Sequence, residues 1–260
     1  MLEFMMWAFV FLFGICIGSF LNVCIYRMGR EESVVRPGSH CPNCKKPIRP
    51  KDNIPLLSYI LLRGRCRDCG QRISARYFFV ELITGLLFLA LYYRFGLSIQ
   101  GLAYCLLVSG LIIATFVDFD FRIIPDEVSV GGIITGLVIS FILPSLHNAP
   151  THLLGLFKSF LGVLVGGGIL WLLGCLGDFI FKKESMGGGD VKLLAMIGAF
   201  LGWQIALLSL PVASLVGAVV GVIIKLKTKE SVIAFGPYLA LGAVICIFWS
   251  EKILKFFFYL

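Results

Sequence analysis

The chain has 260 residues, 58% of them hydrophobic and only 15% charged, with a net charge of +8 and a mean hydropathy of +0.94. Its apolar runs are longer than a soluble core of this size needs, so the composition excludes an ordinary soluble enzyme and points to a polytopic membrane protein. The basic balance reflects topology and anionic lipid headgroups, and no interleaving of aromatic and basic residues argues for nucleic acid.

In chain order, the first apolar run is Phe4–Tyr26. Glu3 precedes it and no basic stretch does, so residues 1–26 read as a first transmembrane helix that stays attached rather than a cleaved signal peptide. Residues 27–77 form a polar insertion. From residue 78 to 260 the apolar runs resume: Phe78–Tyr93, Ser98–Val117, Val128–Leu143, Leu153–Phe181, the short Val191–Leu201, Ile205–Ile224 and Val232–Trp249. The expected fold is thus all-α, with about eight transmembrane helices and a small cytoplasmic four-Cys zinc-binding insertion between the first two. Lys and Arg set the orientation. The insertion carries twelve of them, from Arg27 to Arg76, and with eight spans Arg122, Lys182, Lys183, Lys192, Lys225, Lys227 and Lys229 fall on the same side. Only Arg94, Lys158, Lys252 and Lys255 remain opposite. This places both termini outside and the insertion in the cytoplasm.

The insertion has its own chemistry. Cys41-Pro-Asn-Cys44 and Cys66-Arg-Asp-Cys69 are two C-x-x-C pairs with 21 residues between them. Each pair can offer two thiolates from one tight turn, and two turns complete a tetrahedron around zinc. Disulfides or free thiols are the alternatives, and the cytoplasmic side disfavours the first. A closed four-Cys site is structural: about 50 residues with few large apolar side chains need a staple. Cys16, Cys24, Cys105, Cys175 and Cys246 lie in apolar runs and read as packing residues.

Two aspartates stand where a membrane protein places them at a cost. Asp118 follows the run Leu102–Val117, and Asp190 follows three glycines and opens Val191–Leu201. A carboxylate there costs several kcal/mol unless it is paired, solvated by a cavity or protonated. Two of them on one side suggest a shared site in which one proton is held between two carboxyls, giving an acid and a base. Other readings stand beside this one. Asp190 can be an ordinary helix cap or the partner of Lys192, and Asp126 and Glu127 can simply favour the dipole of the helix that follows Pro125. Asp120, two residues from Asp118, belongs to another helical face.

Several of these segments occur in one order: Gly18-Ser-Phe-Leu-Asn22-Val, the two C-x-x-C pairs, Arg76-Tyr-Phe-Phe-Val-Glu81, the Asp118-Phe-Asp120…Pro125-Asp126 run, Gly187-Gly-Gly189-Asp190 and Phe235-Gly-Pro-Tyr238. From about residue 14 to about 240 the chain resembles the type IV prepilin peptidases (leader peptidase and N-methyltransferase), a family of intramembrane aspartic proteases. One departure is Phe78, where that family often has Pro. The resemblance implies a catalytic pair at Asp118 and Asp190, with Gly187, Gly189, Asp126 and Glu81 supporting the loop or substrate. It implies prepilin or pseudopilin substrates with a short basic leader ending in Gly, cut at the cytoplasmic face of the bacterial inner membrane, for type IV pili or type II secretion. Asp120, Asp126, Glu127 and Glu184 are candidate partners for the basic leader. The resemblance further implies N-methylation from S-adenosylmethionine, although no Gly-rich strand-helix fingerprint for that cofactor is present. Asn22 and Glu81 read equally as methylation residues or as helix-packing hydrogen bonds. Two rival functions remain: a peptidase without methylation, and a transporter or assembly subunit whose aspartates carry ions.

Overall fold

A computed structural model describes residues 1–182, 186–228 and 234–258. Lys183, Glu184, Lys229, Val232 and Ile233, which the sequence reading used, lie outside the described residues. Among the described residues the secondary structure is helical: α1 Leu2–Met28, α2 Leu57–Leu61, α3 Arg76–Phe95, α4 Ile99–Phe121, α5 Asp126–Ile142, α6 His152–Phe181, α7 Gly188–Leu201, α8 Trp203–Thr228 and α9 Gly236–Phe258, with short 3-10 turns at Pro50–Asp52 and Pro144–His147. Among the described residues each expected apolar run contains a helix, the last of them beginning at Gly236. By length and apolarity, five stretches can cross a membrane: Glu3–Met28, α3, α4, α6 and Trp203–Ile223. α5 has 17 residues and α7 only 14, about 21 Å at the helical rise, so α7 is shorter than a bilayer core is thick.

The chain divides into two compact units, Met1–Leu97 and Ser98–Leu260. In the first, α1 and α3 pack along each other. A side chain at Gly18 would come within 2.7 Å of the Glu81 backbone, so the glycine lets the two helices close on one another there. Arg27, at the last turn of α1 and only 4% exposed, donates to the carbonyls of Ser33, Pro37 and Gly38 and so ties down the start of the insertion. The insertion itself holds two matching knuckles. In each, the first Cys backbone N–H returns to the residue five positions on: Cys41 to Lys46 at 3.0 Å and Cys66 to Gln71 at 2.8 Å. The residue after each second Cys, Lys45 or Gly70, takes the left-handed backbone that closes the turn. Arg67 clamps Asp52 with two bonds of 2.8 and 2.7 Å, which holds the Asp52 carboxyl below its ordinary range.

In the second unit α7 is the central element, touching α4, α5, α6, α8 and α9. Every residue from Leu193 to Leu201 is buried, as expected of a helix that is apolar all round. Small residues let its neighbours approach: a methyl at Gly162 of α6 would run into the Gly198 carbonyl, and one at Gly136 of α5 would sit 2.8 Å from Ala199 Cβ. The far end of α7 is anchored by polar groups. The Ser159 hydroxyl donates to the Ala199 carbonyl at 2.7 Å, while the Ser140 hydroxyl and the His147 imidazole gather beside it at 3.4 and 3.2 Å. Last-turn carbonyls have no partner within their own helix, so this cluster satisfies one that would otherwise be orphaned in the core.

Candidate active site and metal cluster

The site begins where α4 stops. Arg122 takes a left-handed conformation (φ 58°) and returns its N–H to the Asp118 carbonyl at 2.9 Å, ending the helix. Pro125 then disfavours helix at Ile124 and caps α5, so Asp126 and Glu127 fall in the first turn of α5, both exposed. Asp118 is 6% exposed, whereas Asp120 is on the outer face, as the two-residue spacing requires. The Asp118 carboxylate faces the start of α9: the Gly236 N–H donates to its Oδ2 at 3.0 Å. Pro237 is the second residue of that helix, where a missing N–H costs nothing. The dipole at the head of α9 adds to the pull on the carboxylate.

Asp190 arrives from another direction. Gly187 is the N-cap of α7, so Asp190 is the third helical residue rather than a cap. The ordinary-cap reading is therefore corrected: no side chain caps this helix, and Asp190 Oδ1 is buried without a hydrogen-bond partner. Lys192 does not take it either, because its ammonium pairs with Asp126 at 2.6 Å across the first turns of α7 and α5. Ile124 is wedged between the two elements that carry Asp190 and hold Asp118. Its side chain lies 3.1 Å from where a Cβ would stand on Gly189 and 3.1 Å from where one would stand on Gly236. One of these glycines precedes Asp190 and the other holds Asp118, and Asp190 lies within Coulombic reach of Asp118. Two carboxyls so placed, one bonded to a backbone N–H and one with a bare oxygen, can share a proton and present an acid beside a base.

The four cysteines of the insertion converge. The Sγ atoms of Cys41, Cys44, Cys66 and Cys69 all lie within 4.8 Å of one another, and Cys41 and Cys69 are 3.9 Å apart. A zinc–thiolate tetrahedron with bonds of about 2.3 Å has sulfur–sulfur edges near 3.8 Å, so this cluster fits a metal of that kind. The Gln71 backbone and the Asn43 amide pull the Cys69 thiol down to about 6, whereas Cys44, against the pull of the Lys46 backbone, is pushed up to about 11 by burial and the neighbouring thiols, so the four sulfurs do not all ionise without a cation among them. Glu81 and Asn22 are both buried in the α1–α3 seam. Glu81 Oε2 accepts the Leu56 N–H at 2.7 Å, and Asn22 Nδ2 donates to the Tyr77 carbonyl at 2.9 Å.

Comparison with known proteins gives the family. Residues 12–95 match the bacterial Peptidase A24 N-terminal domain, and residues 105–222 match the type IV leader peptidase family. The chain belongs to the type IV leader peptidase family. It is 36% identical to a prepilin leader peptidase/N-methyltransferase of Aeromonas hydrophila, over 98% of this chain and 95% of the relative. A protein of the same name in Pseudomonas aeruginosa is 37% identical over 94% of this chain and 90% of its own length. One from Myxococcus xanthus is 41% identical over 86% of this chain, which spans 64% of that relative. No solved structure matches the chain.

Between Asp118 and Asp190, Gly236 and Ile124 have positions that the sequence alone does not reveal. Phe235-Gly-Pro-Tyr238 was visible as a motif, and a Gly-Pro pair opening a helix was the available signal for an exposed N–H. Ile124 left no signal, since an isoleucine before proline is common. Among the glycines, Gly189 is the crowded one. A Cβ on Gly187 would make only ordinary contact, 3.6 Å from Asp190 Oδ2, and one on Gly188 would meet nothing.

Proposed function

We propose that this chain is an intramembrane aspartic endopeptidase that removes the short basic leader of type IV prepilins and pseudopilins and then N-methylates the new N-terminus. The observation that carries the reading is the meeting of Asp118 and Asp190 around Ile124, in a family whose relatives are named for leader cleavage and N-methylation. One aspartate, ionised, activates water. The other, protonated, donates to the carbonyl oxygen or the leaving amine. The Gly236 N–H supports assigning the ionised role to Asp118, because a hydrogen bond to a carboxylate favours its charged form. No covalent intermediate is needed.

Around this centre the reading has eight spans, with residues 1–26 as the first, 27–77 as a cytoplasmic zinc domain and 78–260 as the membrane peptidase domain. Both termini lie outside the bacterial inner membrane, and the leader is cut after Gly at the cytoplasmic face. Gly187, Gly189 and Asp126 shape the entrance of the site. Asp126, Asp120 and Glu127 are exposed carboxylates for the basic leader, Asp126 exchanging its Lys192 partner for a substrate cation. Cys41, Cys44, Cys66 and Cys69 hold zinc, which draws the two knuckles together and takes no part in hydrolysis. S-adenosylmethionine supplies the methyl group as an electrophilic sulfonium.

The test is incubation of the purified, detergent-solubilised protein with a prepilin and S-adenosylmethionine, read by intact mass. Loss of the leader plus one methyl, about 14 Da, is expected. Asp190→Asn is expected to lower cleavage by about 100-fold or more while zinc content stays unchanged. Undiminished cleavage by that variant overturns the aspartyl mechanism, and leader loss without the methyl gain leaves a peptidase alone. No product with a matched prepilin overturns the whole reading in favour of an ion-carrying membrane subunit.

A further inference from the structure

Outside the aspartate site, the richest unused polar chemistry lies in the seam between α1 and α3. Gly18 of α1 rests against Glu81 and Thr84 of α3, and one turn on, Asn22 Nδ2 donates to the carbonyl of Tyr77, one turn before Glu81. Asn22 and Glu81 therefore occupy adjacent turns of one interface. Asn22 is 2% exposed and Glu81 8%. Asn22 Oδ1 is buried with no hydrogen-bond partner. The Glu81 carboxylate receives the Leu56 N–H at 2.7 Å and the Ser19 hydroxyl, two donors for a group with about four acceptor positions. Leu56 is held at φ 60° with its N–H on that carboxylate, so a loop residue in an uncommon conformation fixes where the carboxyl stands. Among the described residues no Lys or Arg pairs with Glu81.

A buried carboxylate without a cation and a buried amide oxygen without a donor have the same need, which is a small positive group rich in N–H. A primary ammonium meets it, with three donors on a compact charge. We propose that Asn22 Oδ1 and the Glu81 carboxylate form a receptor for a primary ammonium, and that its ligand is the α-ammonium which cleavage creates on the substrate. This rests on the methylation reading above. With the ammonium seated, one of its protons passes to the Glu81 carboxylate. The freed lone pair forms the N–C bond as the C–S bond of the sulfonium donor breaks, its electron pair staying on sulfur, and the product leaves as a secondary ammonium. Before transfer the amide oxygen and the carboxylate orient the nitrogen; afterwards Glu81 must return its proton to water.

The methyl donor also carries an α-amino group, so the experiment must tell the two amines apart. The full chain in detergent is given a mature-form pilin peptide with a free α-amine, its des-amino analogue, and S-adenosylhomocysteine as a probe of the donor site. Wild-type protein is expected to bind the free-amine peptide about tenfold or more tighter than the des-amino analogue. Glu81→Gln is expected to erase that preference, to raise the KM for peptide methylation about tenfold and, because the carboxylate also takes the proton, to lower its kcat about 100-fold, with S-adenosylhomocysteine affinity within about twofold of wild type. A Glu81→Gln protein that loses S-adenosylhomocysteine instead assigns the ammonium to the donor and overturns the proposal. Equal binding of both peptides by the wild type also overturns it, and that comparison holds even where the variant fails to fold. Wild-type protein that prefers the free amine yet transfers no methyl keeps the receptor and sinks the methylation reading. Protein that methylates without preference does the reverse.

Discussion

Asp118 and Asp190 are held by opposite means. Asp118 is fixed by a donor, the Gly236 N–H at 3.0 Å, whereas Asp190 is fixed by its place in the first turn of α7 and has an unpartnered oxygen. The donor leaves no room for a side chain: a Cβ on Gly236 would stand 2.7 Å from Asp118 Oδ2 and 3.1 Å from Ile124 Cδ1. Gly236→Ala must push the carboxylate or the wedge away, and a misplacement of about 1 Å can cost 100-fold in rate. Prepilin cleavage by Gly236→Ala is therefore expected to fall about 100-fold. Gly188→Ala is the matched control, because a Cβ there meets nothing and alanine is the better helix former. Leader loss by intact mass checks both, and equal cleavage by the two variants would remove Gly236 from the site.

At the scale of elements, α7 is the part that the rest of the second unit is arranged around, and its two ends do different work. Its head presents Asp190; its tail is moored at Ala199 by Ser159, Ser140 and His147. His147 lies outside the long helices, and burial holds its imidazole below the ordinary range, with Lys158 nearby acting in the same direction. A histidine whose folded value is depressed contributes stability that is present above its unfolded value, about 6.5, and is lost as pH falls below it. The melting temperature in detergent is thus expected to drop between pH 7.5 and 5.5, and His147→Gln is expected to flatten that dependence. A slope unchanged by the substitution would assign the pH response elsewhere. The insertion is the other element with a clear dependence. Its knuckles are stapled by four thiols and a few exposed ion pairs, which are worth little by themselves. Cys41→Ser is expected to lower bound zinc, measured by metal analysis of purified protein, and to open residues 39–73 to protease. Stoichiometric zinc in that variant would refute the four-Cys assignment.

The legible and illegible parts of the sequence follow from range. The helices, the four cysteines and the split between Asp118 and Asp120 are local: apolar run length, C-x-x-C spacing and helical periodicity encode them in a few adjacent residues. The tertiary choices are not. That Lys192 would leave Asp190 for Asp126 depends on which helix starts are neighbours, and that Asp190 would sit inside the turn depends on Gly187 taking the cap. The wedge at Ile124 is invisible for the same reason, since its partners Gly189 and Gly236 are 65 and 112 positions away along the chain. Three successive glycines do not show which of them is needed, and the crowding at Gly189 beside the open space at Gly188 is again a tertiary fact.

At the scale of the whole molecule the decisive quantity is charge at the membrane faces. Nineteen of the 23 Lys and Arg fall on one side of an eight-span topology, leaving Arg94, Lys158, Lys252 and Lys255 on the other. An odd number of spans between Asp118 and Asp190 would put the two carboxyls on opposite faces, which their meeting around Ile124 forbids. Between them lie α5 and α6, so both must cross or both must turn back. α6, with 30 residues, is long enough to cross, and α5, at 17 residues or about 25 Å, reaches a bilayer core only with its flanking residues or local thinning. Both crossing is the arrangement that satisfies the charge rule. Fusions of a reporter active only outside the cytoplasm make the test: activity is expected after Asn148 and after Lys252, and none after Arg122 or after Lys192. Activity after Arg122 would invert the orientation. Activity after Lys192 without activity after Asn148 would mean that α6 crosses while α5 does not, which puts Asp190 on the face opposite Asp118 and removes the paired-aspartate site.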